Sequence, residues 1–519
     1  MGLLSDCRVA LIREAPRYSS NPPYHPSEVF PEWFGKPTQS QDNPAYRAVR
    51  RVLGTLGLDS SNFNTPAWNP LRGLVNPGNT VLLKPNFVYH RNLLTGEGLT
   101  DTNSLVTHGS VIRAVMDYVA KALSGDGRII IGDCPIQGAI WSEVIELTGL
   151  NPVANYFRQA FPDVEVTFKD YRLATANIAG DRVLERVVKE KAFEQYYEVD
   201  LKERSLLIPL MDGKCEFGVS QYPRHRMRSA HTPTTNKYLF PKELMGADVI
   251  INLPKLKTHM KAGVTISLKN LVGINGHKDY LPHFRFGSPK SGGDEFQNMN
   301  WLDNIRSWTA HKEWEYDGGP LKLALSYAGS ICEFANRKLA GLKALEASVD
   351  GGSWYGNDTL WRTVLDINRA FFYFDCERES IVDQVVRERK YMTIVDGLIV
   401  GEKESPLAPS PRECGLMLAG FNPVAVDSVG AAMLGFDIHK IPQINRAFGL
   451  EDLPLVRFRE ADVEIKGLPE VNSVSDIYRN KVFFRCHPSR GMVGHIEYEQ
   501  EPDTANGLAV PSVWLGDQP

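Results

Sequence analysis

Short β-branched apolar runs alternate along this chain with longer stretches whose apolar residues recur at helical spacing. Residues 9–12 (VALI), 80–84 (TVLLK), 128–131 (RIII) and 249–253 (VIINL) read as buried strands. Between two of them, residues 107–123 set Val111, Val115, Tyr118, Val119 and Leu123 on one helical face, with Thr107 as the expected N-cap. Strand, helix and strand in that order predict a right-handed parallel crossover. The same patterning predicts helices over 46–56, 321–345, 360–374 and 424–434, and strands over 392–395 and 416–419 that flank a loop. Residues 264–272 fit either period. Gly273 suits a helix C-terminus, which predicts a helix there with Thr265 and Lys269 on one face.

Together these elements predict an α/β fold: a mostly parallel sheet flanked by helices, in two lobes with large peripheral insertions. The N-terminal α/β lobe covers 1–320, with polar insertions near 173–243 and 287–319, the second read as a long surface loop or lid. Residues 321–470 supply a helical segment and a C-terminal α/β lobe, and 471–519 an irregular tail.

Charge changes the picture at one place. The 58 basic and 62 acidic residues nearly balance, so nothing global points to nucleic acid. Yet residues 255–290 hold seven Lys/Arg and three His against a single acid, Asp279, directly after the strand at 249–253. Cations at the C-terminal end of a buried strand predict an anion-binding crevice. No apolar run approaches the roughly 18 residues of a membrane span, so no membrane partner is expected, and the N-terminus lacks a signal-peptide pattern, which predicts a cytoplasmic protein. The seven cysteines are widely spaced and form no iron–sulfur or zinc motif. Cys134, after a strand in Gly132-Asp133-Cys134-Pro135, is a candidate nucleophile. Neither a GxxxxGK[ST] nor a GxGxxG loop is present, which disfavours ATP and NAD.

Strand ends supply the candidate site. Lys257, Lys269, His108 and His259 are the candidate catalytic groups. Lys84, Asn86, Lys255, Thr258, Thr265, Asn270, His277 and Lys278 are candidate substrate ligands, as are Asp366 and Asn368 on the 360–374 helix. Asp133, Asp396 and Asp427 are candidate ligands for Mg²⁺, the one metal considered, although no spacing demands it. The reading favours an enzyme of the lyase, isomerase or hydrolase type that works by acid–base chemistry on a small carboxylate- or phosphate-bearing substrate. A non-catalytic anion-binding or scaffold protein is the alternative. Oligomeric state is not written in these residues.

The strings VLLKPN (81–86), THGSVIRAV (107–115), IIIGD (129–133), DVIINLPKLKTH (248–259), GVTISLKNLVG (263–273), IVDGLIV (394–400) and NPVAVDSVGAAMLG (422–435) appear in an order that resembles the family of domain of unknown function 362. The resemblance spans roughly residues 75–450. It implies no particular reaction. Some relatives carry a ferredoxin-like segment that this chain, without a cysteine cluster, does not match. The chain also departs from the family's Gly-Pro-rich turn, reading GEKESPLAPSPREC at 401–414.

Overall fold

The computed structural model describes residues 2–33, 41–95, 102–179, 182–299, 301–316, 319–347, 351–386 and 389–498. Its core is one ten-stranded mixed, mostly parallel sheet. The strands are β1 (Arg8–Arg13), β2 (Thr80–Pro85), β3 (Gly127–Asp133), β4 (Val164–Asp170), β5 (Val249–Leu253), β6 (Lys255–His259), β7 (Gly263–Thr265), β8 (Lys390–Glu404), β9 (Ala408–Gly420) and β10 (Glu464–Lys466). Eight of them run in the order β10-β1-β9-β8-β5-β2-β3-β4, while β6 extends beside β8 and pairs with β7. From β8 through β5, β2 and β3 to β4 every pairing is parallel, so five strand ends lie along one edge.

Alternation along each strand fills two layers. Val81, Leu83, Ile129, Ile131, Val249 and Ile251 face the helices α1 (Pro44–Thr55) and α2 (Gly109–Leu123). Leu82, Ile130 and Ile250 face the opposite layer, which contains α3 (Ser267–Asn270) and α4 (Leu360–Tyr373). A third cluster packs Val9, Leu11, Val395 and Leu418 under α5 (Pro423–Met433). A strand buried on both faces needs apolar residues at nearly every position, which is why these segments read as continuous runs.

Several expectations are corrected. The boundary at residue 320 runs through a single sheet: β8, from beyond it, pairs directly with β5, from before it. The stretch 401–414 is no loop, because β8 and β9 continue as antiparallel arms up to a turn at 405–407. Residues 264–272 are split. Val264 and Thr265 lie in β7 and the helix starts only at Ser267, so Thr265 and Lys269 share no helical face. Residues 287–319 include a helix, Trp301–Trp314, rather than one long loop. The 173–243 insertion builds a hairpin, Ala174–Ala179 with Arg182–Val188, and a small sheet of Tyr196–Asp200, His231–Thr232 and Thr235–Pro241. Of the tail, 474–479 is a short helix, and residues from 499 onward lie outside the described residues. No described helix is long and apolar enough to cross a membrane.

One buried carboxylate sets where α3 begins. Asp427, on α5, accepts from the backbone N–H of Ser267 at 2.7 Å and of Leu268 at 3.3 Å. Burial without a cation pushes its pKa well above the usual carboxylate range, against the two N–H bonds that hold it. Asp427→Ala strands both donors in the core and is expected to destabilise the fold by about 2–4 kcal/mol. Asp427→Asn keeps an acceptor and is expected to cost less. Urea denaturation of the two variants checks this, and equal losses would contradict it.

Candidate functional site

Register brings the strand ends together. Asn252 lies opposite Lys84, Lys255 lies opposite Asp396, and Leu83 opposite Ile131 sets Lys84 beside the end of β3. Lys84 Nζ donates to Asp133 Oδ1 at 2.7 Å and to the Pro85 carbonyl at 2.8 Å, with Asn270 Oδ1 at 3.4 Å. Asp133 is itself fixed by the N–H groups of Phe87 and Cys134. Gly273 passes so close that a Cβ there would lie 2.6 Å from Asp133 Oδ1 and 2.7 Å from Lys84 Nζ. Asn270 extends the network, taking a hydrogen bond from Asn86 Nδ2 at 2.9 Å and donating to Asn252 Oδ1 at 2.7 Å. The side-chain oxygen of Asn86, Oδ1, is buried without a hydrogen-bond partner among the described residues.

A second ion pair holds Lys255. Its Nζ lies 3.2 Å from Asp396 Oδ2 and donates to the Tyr18 hydroxyl at 2.6 Å, and that hydroxyl donates to Asp396 Oδ1 at 2.5 Å. Tyr18 stacks on the His108 ring with centroids 4.1 Å apart, and the His108 N–H donates to Asp396 Oδ2. His108, not Thr107, caps α2: its Nδ1 accepts from the Ser110 N–H at 3.1 Å. Thr107 instead joins two strand ends, accepting from the Asn86 N–H and donating to the Leu253 carbonyl. Burial, then the Lys255 charge, pushes the His108 pKa down to about 3, so the imidazole is neutral. Tyr18 carried no sequence signal; it stands alone in a polar turn after β1.

Among the described residues Lys257, Lys269 and Lys278 form no ion pair with a carboxylate. Lys257 is fully buried and donates to the Leu105 carbonyl at 2.6 Å. Burial first, then Lys255 and Lys269, holds its pKa well below the ordinary lysine range. Lys269, half-buried on α3, has no hydrogen-bond or ion-pair partner among the described residues, and the charges acting on it are all positive: Lys278, Lys261 and Lys84. Burial and those neighbours bring its pKa down to about 7. Lys278 is lowered chiefly by burial. Two neutral imidazoles border this group, both held well below the ordinary histidine range by burial and nearby lysines. His259 Nδ1 accepts from the N–H groups of Lys261 and Ala262, which leaves a proton on Nε2. His283, which the sequence reading passed over, sits with Nδ1 2.7 Å from the Leu281 carbonyl; that bond needs the proton on Nδ1 and leaves a basic Nε2.

Lys84, Lys257 and Lys269 therefore converge. Other candidates do not. Thr258 donates to the Lys403 carbonyl, and Thr265 Oγ1, across from Lys257 in β7, is buried without a partner. His277 is buried against Asp279, which also faces Arg226 at 3.6 Å. Asp366 turns away from the crevice to accept from Ser205 Oγ, the Leu206 N–H and Arg369, which anchors the inserted segment. Asn368 donates to the Leu268 carbonyl and so steadies α3. Asp133, Asp396 and Asp427 do not form a metal site: protein donors occupy each, and no group of three potential ligands stands together among the described residues. Cys134 is buried and its pKa is pushed up to about 12, which removes the thiolate a nucleophile needs. The basic run at 224–228 is taken up in ion pairs to Glu216, Glu315 and Glu190.

A cavity of about 630 Å³ opens beyond the same ends of β2 and β3, lined by His90, Asn92, Gln137, Ile140, Glu143 and Asn177 among others. None of the crevice lysines lines it. The lysine crevice owes its character to charge rather than to volume.

Residues 217–432 match the family model described as domain of unknown function (DUF362), which bears out the resemblance carried by the sequence strings. The strings at 81–86, 107–115 and 129–133 fall N-terminal to the matched span. A thylakoid-associated protein of Synechocystis sp. is 28% identical over 207 residues, 39% of this chain and 42% of that protein. The chain thus spans less than half the length of this relative. A crystal structure of a Thermotoga maritima protein aligns with 74% of this chain and 58% of its own, at 11% identity and a TM-score of 0.32, a likeness too slight to bear on function.

An amine with a pKa of about 7 is half-charged at neutral pH, whereas exposed lysines titrate near 10.4. After reductive methylation with ¹³C-formaldehyde, the Lys269 resonance, assigned by its loss in Lys269→Arg, is expected to titrate about three units below the exposed lysines. A midpoint within one unit of theirs would contradict the crowding described here.

Proposed function

We propose that this chain, a carrier of the DUF362 domain, is an enzyme that binds a small carboxylate- or phosphate-bearing metabolite in the lysine crevice and acts on it by acid–base chemistry. The supporting observation is the imbalance of charge. Six lysines (84, 255, 257, 261, 269 and 278) act on one another there, while Asp133 and Asp396 are committed to Lys84 and Lys255. An anion between Lys269 and Lys278 relieves the repulsion on Lys269, on which only positive charges act, and it raises the pKa of both amines. The orphaned Asn86 oxygen, beside Asn270 and Lys84, suits a ligand that brings its own donor.

Proton transfer then falls to groups already neutral. His283 offers a basic Nε2 and His259 an N–H, so one accepts a proton while the other stabilises developing negative charge. Lysine held as ammonium by the bound anion adds to that stabilisation. Tyr18, between Lys255 and Asp396, holds the neighbouring strand ends in place. Seven free thiols fit the reducing cytoplasm we assign to it.

Thermal shift against a panel of small phosphates and carboxylates tests binding, and Lys269→Ala tests the place. A ligand at about a hundred times its Kd adds about 2.7 kcal/mol to stability. Lys269→Ala is expected to lose most of that increment while keeping the unliganded melting temperature. Affinity is expected to fall as pH rises through the ligand-raised pKa of Lys269, since only the ammonium binds. Solvent-deuterium exchange into the bound metabolite, followed by NMR, tests turnover and its loss in His283→Gln. Binding without exchange or turnover would favour the non-catalytic anion binder. No shift with any anion would remove the reading altogether.

A further inference from the structure

Over its described side chains, which end at residue 335, the helical pair Trp301–Trp314 and Pro320–Ala347 is built inside out. On the first helix the buried side chains are Asp303, Ser307, Thr309 and His311, while Trp301 (67% exposed), Ile305 and Trp308 face outward. On the second, Lys322 and Ser326 are buried, and Leu323, Tyr327, Ile331 (68%) and Phe334 (62%) face outward. The outward positions recur every three or four residues and so form one stripe per helix. Among the described side chains of the two helices, no large hydrophobic residue is buried. A hairpin of an aqueous protein has the opposite arrangement.

The polar interior is satisfied within the protein. His311 Nε2 lies 2.9 Å from Glu295 Oε1, Ser307 Oγ donates to Glu295 Oε2 at 3.1 Å, and Lys322 Nζ donates to the Tyr316 carbonyl at 2.9 Å. Small residues let the helices approach: a Cβ on Gly329 would stand 3.3 Å from Thr309 Oγ1. Small and polar inside with large and apolar outside is the packing of helices in contact with lipid.

We infer that this hairpin seats the protein on a lipid bilayer, its two apolar stripes lying in the boundary between headgroups and acyl chains. Three features favour lipid over a protein partner or a second copy. Among the described exposed residues of the two helices, Asn304 alone brings a wholly polar side chain, whereas a protein interface needs about one hydrogen bond per 100–200 Å². The stripes are rich in Trp and Tyr, whose amphipathic rings suit the interface. Residues 301–347 carry six Lys/Arg against six Asp/Glu, so there is no net charge to steer a complementary partner. The hairpin lies on the surface rather than crossing it, since neither helix is apolar enough to span.

Liposome flotation of the full chain tests this, using phosphatidylcholine vesicles and vesicles mixed with phosphatidylglycerol. The protein is expected to float with both, and about 0.5 M salt is expected not to release it, because charge contributes little. Trp308→Ser, Ile331→Ser and Phe334→Ser combined should cut partitioning by at least about tenfold. The melting temperature should not change, since all three side chains are exposed. Brominated lipids should quench wild-type tryptophan fluorescence, and less so after Trp301→Phe with Trp308→Phe. A wild type that stays in the aqueous phase with both vesicles, or that salt releases, would overturn the inference. So would a wild-type dimer in sedimentation that the triple variant makes monomeric, which would assign the stripes to a second copy.

Discussion

The ammonium of Lys84 is buried at the C-terminal edge of the sheet, and most of the neighbouring structure is arranged to make that tolerable. Asp133 supplies the counter-charge from the next strand, and the N–H groups of Phe87 and Cys134 fix it. Deleting either partner would leave an uncompensated charge in the core, so the pair ties β2 to β3 more firmly than its own strength suggests. The constraint extends to Gly273, where any side chain would enter the pair, and to Asn270, which joins Lys84, Asn86 and Asn252. The short helix α3 is thereby held against the strand ends from one side and by Asp427 from the other.

That arrangement divides the lysines by task. Lys84 and Lys255 are neutralised by carboxylates and belong to the framework. Lys257 spends its ammonium on a backbone carbonyl. Among the described residues Lys269 and Lys278 have neither kind of partner; burial lowers the pKa of both, and on Lys269 the like charges of Lys278, Lys261 and Lys84 add to it. Crowding amines without a paired carboxylate costs the folded protein free energy, and that cost is what the proposed anion would offset.

How much of this was legible depended on whether local pattern and global packing agreed. Strands buried on both faces, such as 80–85 and 249–253, announced themselves as apolar runs, and parallel topology accounts for Lys84 and Lys255 at one edge, whereas Lys269 is brought there by α3, whose start Asp427 fixes. The arms of β8 and β9 were hidden because Gly401, Pro409 and Pro411 read as loop, while antiparallel pairing outside the core tolerates them. Asp366 was misassigned because a helix shows its period but not which neighbour each face meets; Ser205 and Leu206 lie 160 residues away. Tyr18 and His283 had no motif, and their importance is created by partners brought from elsewhere in the chain.

The inverted hairpin escaped for a different reason. A search for uninterrupted apolar stretches asks whether a helix can cross a bilayer, and the stripes of Ile305 and Ile331 are interrupted at every turn by residues that pack inward. The crevice and the hairpin are also neighbours in the fold. Phe284 and Phe286, just after His283, pack against His311, with the Phe286 ring 3.7 Å from it. The segment that supplies the basic imidazole is thus wedged under the polar interior of the hairpin. A protein seated through those stripes would hold the lysine crevice at a fixed height and orientation over the membrane surface. The two proposals then join, because an anion bound in that crevice would be met close to the bilayer.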